Sequence, residues 1–455
     1  MNQAPIKSLP HFIRTRLGRH HNLQKTLENT GWLFADRVLS MGVGFFVSIW
    51  VVRYLGPEQF GLYSYALSFV ALFGPLVNLG LDNIVVRNLV RNDASPGEIL
   101  GTAFTLKLMT ALVTFALVAA VIWQLDSDPL TRVLVLIIAG GLIFRPLNVI
   151  DFWFQSQVLS KYVVWARNTA LVICAAIKVG LVLAEMPLIA FAWVWLAQSA
   201  ITGAGLLFMF RLRGPVLASW RPRLKLGMTL LRDAWPLVLS GLAASIYMKI
   251  DQIMLGRMVG SSAVGIYAAA VRLSELWYFI PMAVAASVFP AIVHSRQSQS
   301  EQVYRKRIQT FYDVMAGLGY AVAIPLGLFA SPLVTTLFGA DYAEAGPILA
   351  VHIWAFIFVC LGVARGKWLI AENMTGFSMF TSILGAVVNV GLNYWLMPRY
   401  AGLGAAWATL ISYAVAAYLS CILSSRLWPV FSQLSLSLLV PFRLSSLRRS
   451  FREVL

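Results

Sequence analysis

Twelve ionisable residues lie inside long apolar stretches of this chain: Asp36, Arg37, Lys107, Arg145, Asp151, Arg167, Lys178, Lys249, Asp251, Arg272, Glu275 and Asp313. A charge embedded in apolar sequence is costly, so each should face protein or a water-filled cavity. Arg37, Lys107, Arg145 and Lys249 are the candidates for a cationic cavity wall. An anion crossing an apolar barrier needs counter-charge along its route, and a guanidinium matches phosphate-type oxyanions in bidentate geometry. Asp36, Asp251 and Glu275 are the acids that could take up a proton or cation. Asp36, Arg167, Lys178 and Asp313 could instead sit near an interface, where long side chains snorkel. Arg272 and Glu275 are three apart, so they could pair on one helix turn. Lys249 and Asp251 are two apart and share no helix face, so at least one needs a distant partner.

Catalytic patterns are nearly absent. Asp126-Ser127-Asp128 matches the D-x-D of nucleotide-sugar enzymes, but it falls in a tiny loop on the expected outer side, where nucleotide-sugars are not available. There is no phosphate loop and no GxGxxG. His20 and His21 adjoin in a basic tail, and His294 and His352 are isolated. Cys174, Cys360 and Cys421 are too few and too scattered for a disulfide framework or a zinc site, and read as small buried apolar side chains. No catalytic residue, no metal and no resident cofactor are expected.

The elements that must position these charges follow from composition. The 455 residues are 59% hydrophobic and only 12% charged. Soluble domains run at about 25% charged, so much of this chain faces something other than water. Apolar runs fall near 30–52, 59–81, 99–124, 133–154, 162–183, 187–210, 235–256, 263–290, 310–333, 346–364, 376–397 and 403–425. They are too long and continuous for barrel strands, so helices of about 20 residues per crossing are expected. The fold class expected is all-α integral membrane, with twelve spans. Pro75, Pro146, Pro236, Pro281 and Pro325 fall within or near span interiors, where each permits a kink.

The net charge of +17 would suggest nucleic acid in a soluble protein; here it suggests loops held against anionic headgroups. Of 36 Lys and Arg, 25 fall on the side shared by both ends, four on the other (Arg53, Arg132, Arg257 and Arg399) and seven inside spans. The positive-inside rule then puts both ends in the cytoplasm. No cleavable leader is expected, since residues 1–28 hold five basic residues and no apolar core. The organisation is a basic tail 1–28, an N-terminal lobe 29–210, a linker 211–233, a C-terminal lobe 234–425 and a basic tail 426–455.

The two halves share an internal match. RYLGPEQFGLYSYA, 53–66, aligns with RMVGSSAVGIYAAA, 257–270, at an offset of 204. Arg53, Gly56, Gly61, Tyr63 and Ala66 meet Arg257, Gly260, Gly265, Tyr267 and Ala270. Each copy follows the first span of its half. A six-span repeat keeps its orientation, so the lobes should be related by a pseudo-two-fold axis along the membrane normal, with substrate between them and alternating access.

The block MKIDQIMLGRMVGSSAVGIYAAAVRLSELWYFIPMAVAASVFPAIV, 248–293, resembles the polysaccharide-transport branch of the multidrug/oligosaccharidyl-lipid/polysaccharide exporter superfamily. RYLGPEQFGLYSYALSFVALFGPLVNLGLDN, 53–83, LFGADYAEAGPIL, 337–349, and PRYAGLGAAWATLISY, 398–413, are similar to other motifs of that family. The likeness spans about 28–425. It implies a MATE-like, V-shaped fold of two lobes. It also implies flipping of undecaprenyl-pyrophosphate-linked repeat units of O-antigen, capsule or exopolysaccharide to the periplasmic leaflet of a bacterial inner membrane. The family motif falls on Asp251, Gly256, Gly260, Gly265, Tyr267, Ala270, Arg272 and Glu275. Expected partners are a polyprenyl-pyrophosphate-linked glycan, membrane lipids and the polysaccharide polymerase and chain-length machinery; energy would come from a proton or sodium gradient. A multidrug or organic-cation antiporter would want acids to dominate the cavity, and here bases outnumber them. A membrane polymerase or ligase would want a sizeable outer loop, and all outer loops are short. A scaffold without transport would have no use for duplicated lobes and charged spans.

Overall fold

A computed structural model describes residues 21–443, except 92, 93, 127, 217, 218, 299 and 373. Helix is the only regular structure among them. The α-helices of eight residues or more are α1 His21–Leu72, α2 Asp82–Arg91, α3 Pro96–Leu125, α4 Pro129–Gly140, α5 Val149–Ser156, α6 Lys161–Leu183, α7 Leu188–Arg213, α8 Leu224–Met258, α9 Ser261–Glu275 and α10 Phe279–Ser298. There follow α11 Glu301–Leu328, α12 Ala330–Phe338, α13 Ala345–His352, α14 Ala355–Ala371, α15 Thr375–Ala417 and α16 Trp428–Leu438.

Ten helices among the described residues are long and apolar enough to cross a membrane. The two longest far exceed the about 20 residues a crossing needs: 34–72 has 39 residues and 376–423 has 48. Each is interrupted, at Gly56 (φ 64°) in α1 and at Ala401 (φ 46°) in α15. Divided there, the ten hold twelve segments, compatible with the twelve crossings expected. The basic tails fall largely outside the described residues, as does Ser127.

Packing divides the chain into two compact units. Unit 1 is Met1–Val51 with Phe73–Leu242, and unit 2 is Val52–Leu72 with Ala243–Leu455. The 211–233 linker expected from sequence is therefore not where packing changes hands. Its central part is fastened to the start of α3. The Arg221 N–H donates to the Gly97 carbonyl at 3.2 Å, the Arg223 N–H to Thr102 Oγ1 at 2.9 Å, and the Arg223 guanidinium meets Glu98 at 3.1 Å. Gly97 and Gly101 admit this contact, since a Cβ on either would strike the 219–221 backbone. The core of unit 1 joins α2, α3, α5, α6 and α7 through Val85, Ile99, Leu100, Ile150, Phe154, Val163, Leu206 and Phe210. α8 runs through unit 1 as far as Leu242, where Leu237 closes on Gly80 (φ 62°).

In unit 2 the two repeat copies pack on each other. Gly56 and Gly260, 204 apart, both take positive φ (64° and 127°), and each ends one helical segment before the next begins. Glycine enters that region at no steric cost. The following segments, 57–66 and 261–270, cross reciprocally at their glycines. A Cβ on Gly61 would overlap the Ser261 carbonyl, and a Cβ on Gly265 would overlap the Pro57 carbonyl. Pro57 and Ser261 are themselves 204 apart, so the contact has local two-fold character. The first copy is further tied down by Arg53, which donates to the Thr336 carbonyl at 2.7 Å, and by the Tyr342 hydroxyl on the Val52 carbonyl at 2.9 Å. The sequence repeat thus marks a joint.

Elsewhere in unit 2, α16 is latched to α11. The Ser437 hydroxyl donates to Asp313 Oδ1 at 2.6 Å, Gln309 Nε2 to the Gln433 carbonyl at 3.1 Å, and the Tyr320 hydroxyl to the Leu438 carbonyl at 2.8 Å. This short helix lies in the segment expected only as a basic tail.

Candidate functional site

The charges of unit 1 sort themselves by whether they find partners. Lys107, on α3, is fully buried; its Nζ lies 3.2 Å from Asp82 at the start of α2 and 4.6 Å from the Phe152 ring centre. Arg167, on α6, meets buried Asp151 on α5 at 2.7 Å. Asp36 is half-buried, with Arg37, Arg167 and Asn168 as its polar neighbours, and Arg37 itself is exposed on α1. Arg145 stands in the 3₁₀ stretch Gly141–Asn148 between α4 and α5. Among the described residues its guanidinium makes no hydrogen bond and no ion pair. It lines a cavity of about 380 Å³ inside unit 1, together with Arg167, Asn148, Trp195, Gln198 and Ser199. The structure thus brings Arg145 and Arg167 together. Lys107 is committed to Asp82, and Arg37 does not line this cavity.

Unit 2 holds a contrasting cluster. Asp251, on α8, is 3% exposed. Its Oδ1 accepts from Asn393 Nδ2 at 2.6 Å, and its Oδ2 accepts from the Tyr267 hydroxyl at 2.9 Å and the Thr409 hydroxyl at 2.7 Å. Asn393 Nδ2 also reaches Asn389 Oδ1 at 3.0 Å. Asn389 Nδ2 and Asn393 Oδ1 are buried without hydrogen bonds. No Lys or Arg pairs with this carboxylate among the described residues. The break at Ala401 lets both arms of α15 contribute, Asn389 and Asn393 from one and Thr409 from the other. Lys249, two residues earlier on α8, points elsewhere and meets Glu275 at 3.4 Å. Glu275 is therefore paired across helices and not with Arg272, whose guanidinium lies 5.9 Å from the Phe60 ring centre. Tyr63 and Tyr267 are buried, and Arg257 ends α8 exposed.

Sequence reasoning named Asp251 and Arg145 but missed their polar surroundings. Asn389 and Asn393 were visible as an i, i+4 pair of amides within an apolar stretch. Asn148, Gln198 and Ser199 carried no such signal. Arg365, inside α14, is 5% exposed and donates to the Ser420 and Thr381 hydroxyls at 2.8 and 3.0 Å.

Ten apolar helices of crossing length among the described residues define a multi-pass membrane protein. Residues 26–296 match the family model described as polysaccharide biosynthesis protein, and residues 162–442 match that of the lipid II flippase MurJ. The chain belongs to this polysaccharide biosynthesis and MurJ family. It is 22% identical over 418 residues to the probable low-salt glycan biosynthesis flippase Agl15 of Haloferax volcanii, covering 87% of this chain and 83% of that one. It is 24% identical over 455 residues to the succinoglycan biosynthesis transport protein ExoT of Rhizobium meliloti, covering 93% and 87%. Its fold resembles the solved inward closed lipid II flippase MurJ, with a TM-score of 0.71 at 14% identity over 92% of both chains.

Proposed function

We propose that this protein flips a polyprenyl-pyrophosphate-linked oligosaccharide repeat unit from the cytoplasmic to the periplasmic leaflet of a bacterial inner membrane, by alternating access, for surface polysaccharide synthesis. The observation that carries this reading beyond the family is Arg145, a cation within an apolar span that the fold leaves without an acid. An anionic head group supplies the missing counter-charge. An organic cation would meet repulsion there, which disfavours a drug antiporter. The polymerase and chain-length machinery would receive the flipped unit.

Coupling falls to Asp251 in this reading. A carboxylate removed from water and held only by neutral donors needs a proton or a monovalent cation, and its exchange would drive the cycle from a proton or sodium gradient. Both ends lie in the cytoplasm, as the distribution of Lys and Arg expects.

The test is the sidedness of lipid-linked glycan in cells lacking the protein, probed with an impermeant lectin or enzyme from each face. Repeat units trapped on the cytoplasmic face and cleared by restoring the gene support the reading. Units reaching the outer face normally would refute it.

A further inference from the structure

We propose that the cavity inside unit 1 is a head-group subsite for a single sugar phosphate, the phosphate held by Arg145 and the sugar ring by Asn148, Gln198 and Trp195. The inference rests on the flippase reading for the source of the ligand, and on the cavity alone for its chemistry.

The first support is charge. Of the two guanidinium groups on the wall, Arg167 already meets Asp151 at 2.7 Å, whereas Arg145 has no acid among the described residues. Lys107 lies close enough to repel Arg145 and is itself committed to Asp82. A guanidinium inside a membrane helix is costly unless paired. Its planar fork suits an oxyanion that can accept two parallel hydrogen bonds.

The second support is the neutral wall. The side-chain amides of Asn148 and Gln198 make no hydrogen bond among the described residues, so each has donors and an acceptor to offer. The Ser199 and Thr202 hydroxyls spend their protons on the Trp195 and Gln198 carbonyls, at 3.3 and 2.7 Å, and keep lone pairs for a ligand hydroxyl. Uncommitted amides beside hydroxyl acceptors match a polyol. A phosphate ion could accept from the amides but lacks a polyol's hydroxyl protons to give to the Ser199 and Thr202 lone pairs, and an apolar drug can use neither.

The third support is shape. Trp195 is half-buried on the wall and gives an aromatic face for the C–H side of a sugar ring. A volume of about 380 Å³ is near the small end of the 300–1,000 Å³ usual for small-molecule sites. It accommodates one phosphorylated ring, leaving the rest of a repeat unit outside. The subsite would therefore read the reducing-end sugar phosphate and ignore the distal sugars.

The experiment uses the full chain in nanodiscs, titrated calorimetrically with glucose 1-phosphate, inorganic pyrophosphate and methyl glucoside. Glucose 1-phosphate should bind best, pyrophosphate more weakly, and the uncharged methyl glucoside not at all. Arg145→Gln should weaken glucose 1-phosphate about tenfold or more, as expected for losing a charge-assisted hydrogen bond. Arg145→Lys keeps the charge and should fall between, which separates lost recognition from lost folding. Trp195→Leu should weaken glucose 1-phosphate while leaving pyrophosphate unchanged. Nanodiscs carrying an undecaprenyl-pyrophosphate-linked sugar should show competition with glucose 1-phosphate. Unchanged binding in Arg145→Gln, equal binding of methyl glucoside, or no competition by the lipid-linked sugar each overturns the subsite. Sidedness in cells is read separately. If it depends on the protein while Arg145→Gln binds as wild type, the subsite falls and the flippase stands. Binding as expected with normal sidedness in deleted cells would sink the flippase and leave the subsite chemistry intact.

Discussion

Gly61→Ala tests whether the repeat marks a packed joint. In a helix this change normally stabilises by about 1 kcal/mol, because glycine is the poorer helix former. Here the added Cβ would lie 2.7 Å from the Ser261 carbonyl carbon and 2.9 Å from the Gly265 nitrogen, and closer still to the Ser261 oxygen. Carbon atoms in real contact sit about 3.5–4.0 Å apart. The obstructing atoms are backbone, so no rotamer change relieves them and the two segments must separate by roughly 1 Å. Overpacking of this kind costs about 1–3 kcal/mol, and a backbone clash belongs at the upper end. The net expectation is a loss of about 2 kcal/mol. Gly391→Ala is the control: a Cβ there meets nothing within 4 Å, so the propensity gain of about 1 kcal/mol should appear undiminished. The two variants should therefore differ by about 3 kcal/mol in thermal or denaturant unfolding of purified protein in detergent. Gly265→Ala should resemble Gly61→Ala. The double variant should cost less than the sum, since the first substitution already parts the segments. Equal stability of Gly61→Ala and Gly391→Ala would refute the crossing.

Asp82→Asn should destabilise by about 1–3 kcal/mol, because it leaves buried Lys107 unpaired; the lower half of that range is expected, since Asp82 is 54% exposed. Lys107→Met should unfold near wild type, which the same melting assay can check, because an apolar chain of similar volume removes the buried charge altogether. On the proposal that Asp251 couples translocation to an ion gradient, Asp251→Asn should leave the fold intact and make glycan translocation insensitive to that gradient; a variant that responds to the gradient as wild type does would remove Asp251 from coupling. Asp128, in the loop before α4, accepts from the Thr131 amide and hydroxyl at 2.9 and 2.6 Å, and these bonds hold its carboxyl below the usual range. Its capping contribution should thus be present above the unfolded carboxylate value of about 4 and fade as pH falls below it. Asp128→Ala should cost about 1 kcal/mol or less at pH 7, and progressively less as pH falls below about 4.

Features set by chain geometry were legible in the sequence. α6, Lys161–Leu183, lies almost on the expected run 162–183, and α7, Leu188–Arg213, begins one residue from its expected start, because an apolar run of crossing length must close its own backbone hydrogen bonds. The repeat was legible for a different reason. Positive φ at Gly56 and Gly260, and backbone contact at Gly61 and Gly265, penalise any side chain, so residue type reports the geometry directly. The packing boundary was not legible. Nothing in the composition of α1 says that the chain from Val52 onward packs with unit 2, since both parts of that helix are apolar and what separates them is their tertiary partners.

Charge partners were less legible still, and the physical cause is reach. Arg272 and Glu275 have the spacing of a helical pair, yet Glu275 meets Lys249, 26 residues away, because α8 and α9 face one another there. Asp251 could be singled out as costly, but its character depends on donors up to 158 residues distant, Tyr267, Asn393 and Thr409, and these converge only because α15 breaks at Ala401. The same holds for Arg145. Its sequence neighbours mark a guanidinium within an apolar span; only the fold shows that Asp82 and Asp151 are taken by Lys107 and Arg167. Charge counting in a membrane sequence therefore identifies how many cations need compensation. Which of them remains open to a ligand is decided by the pairing of the others.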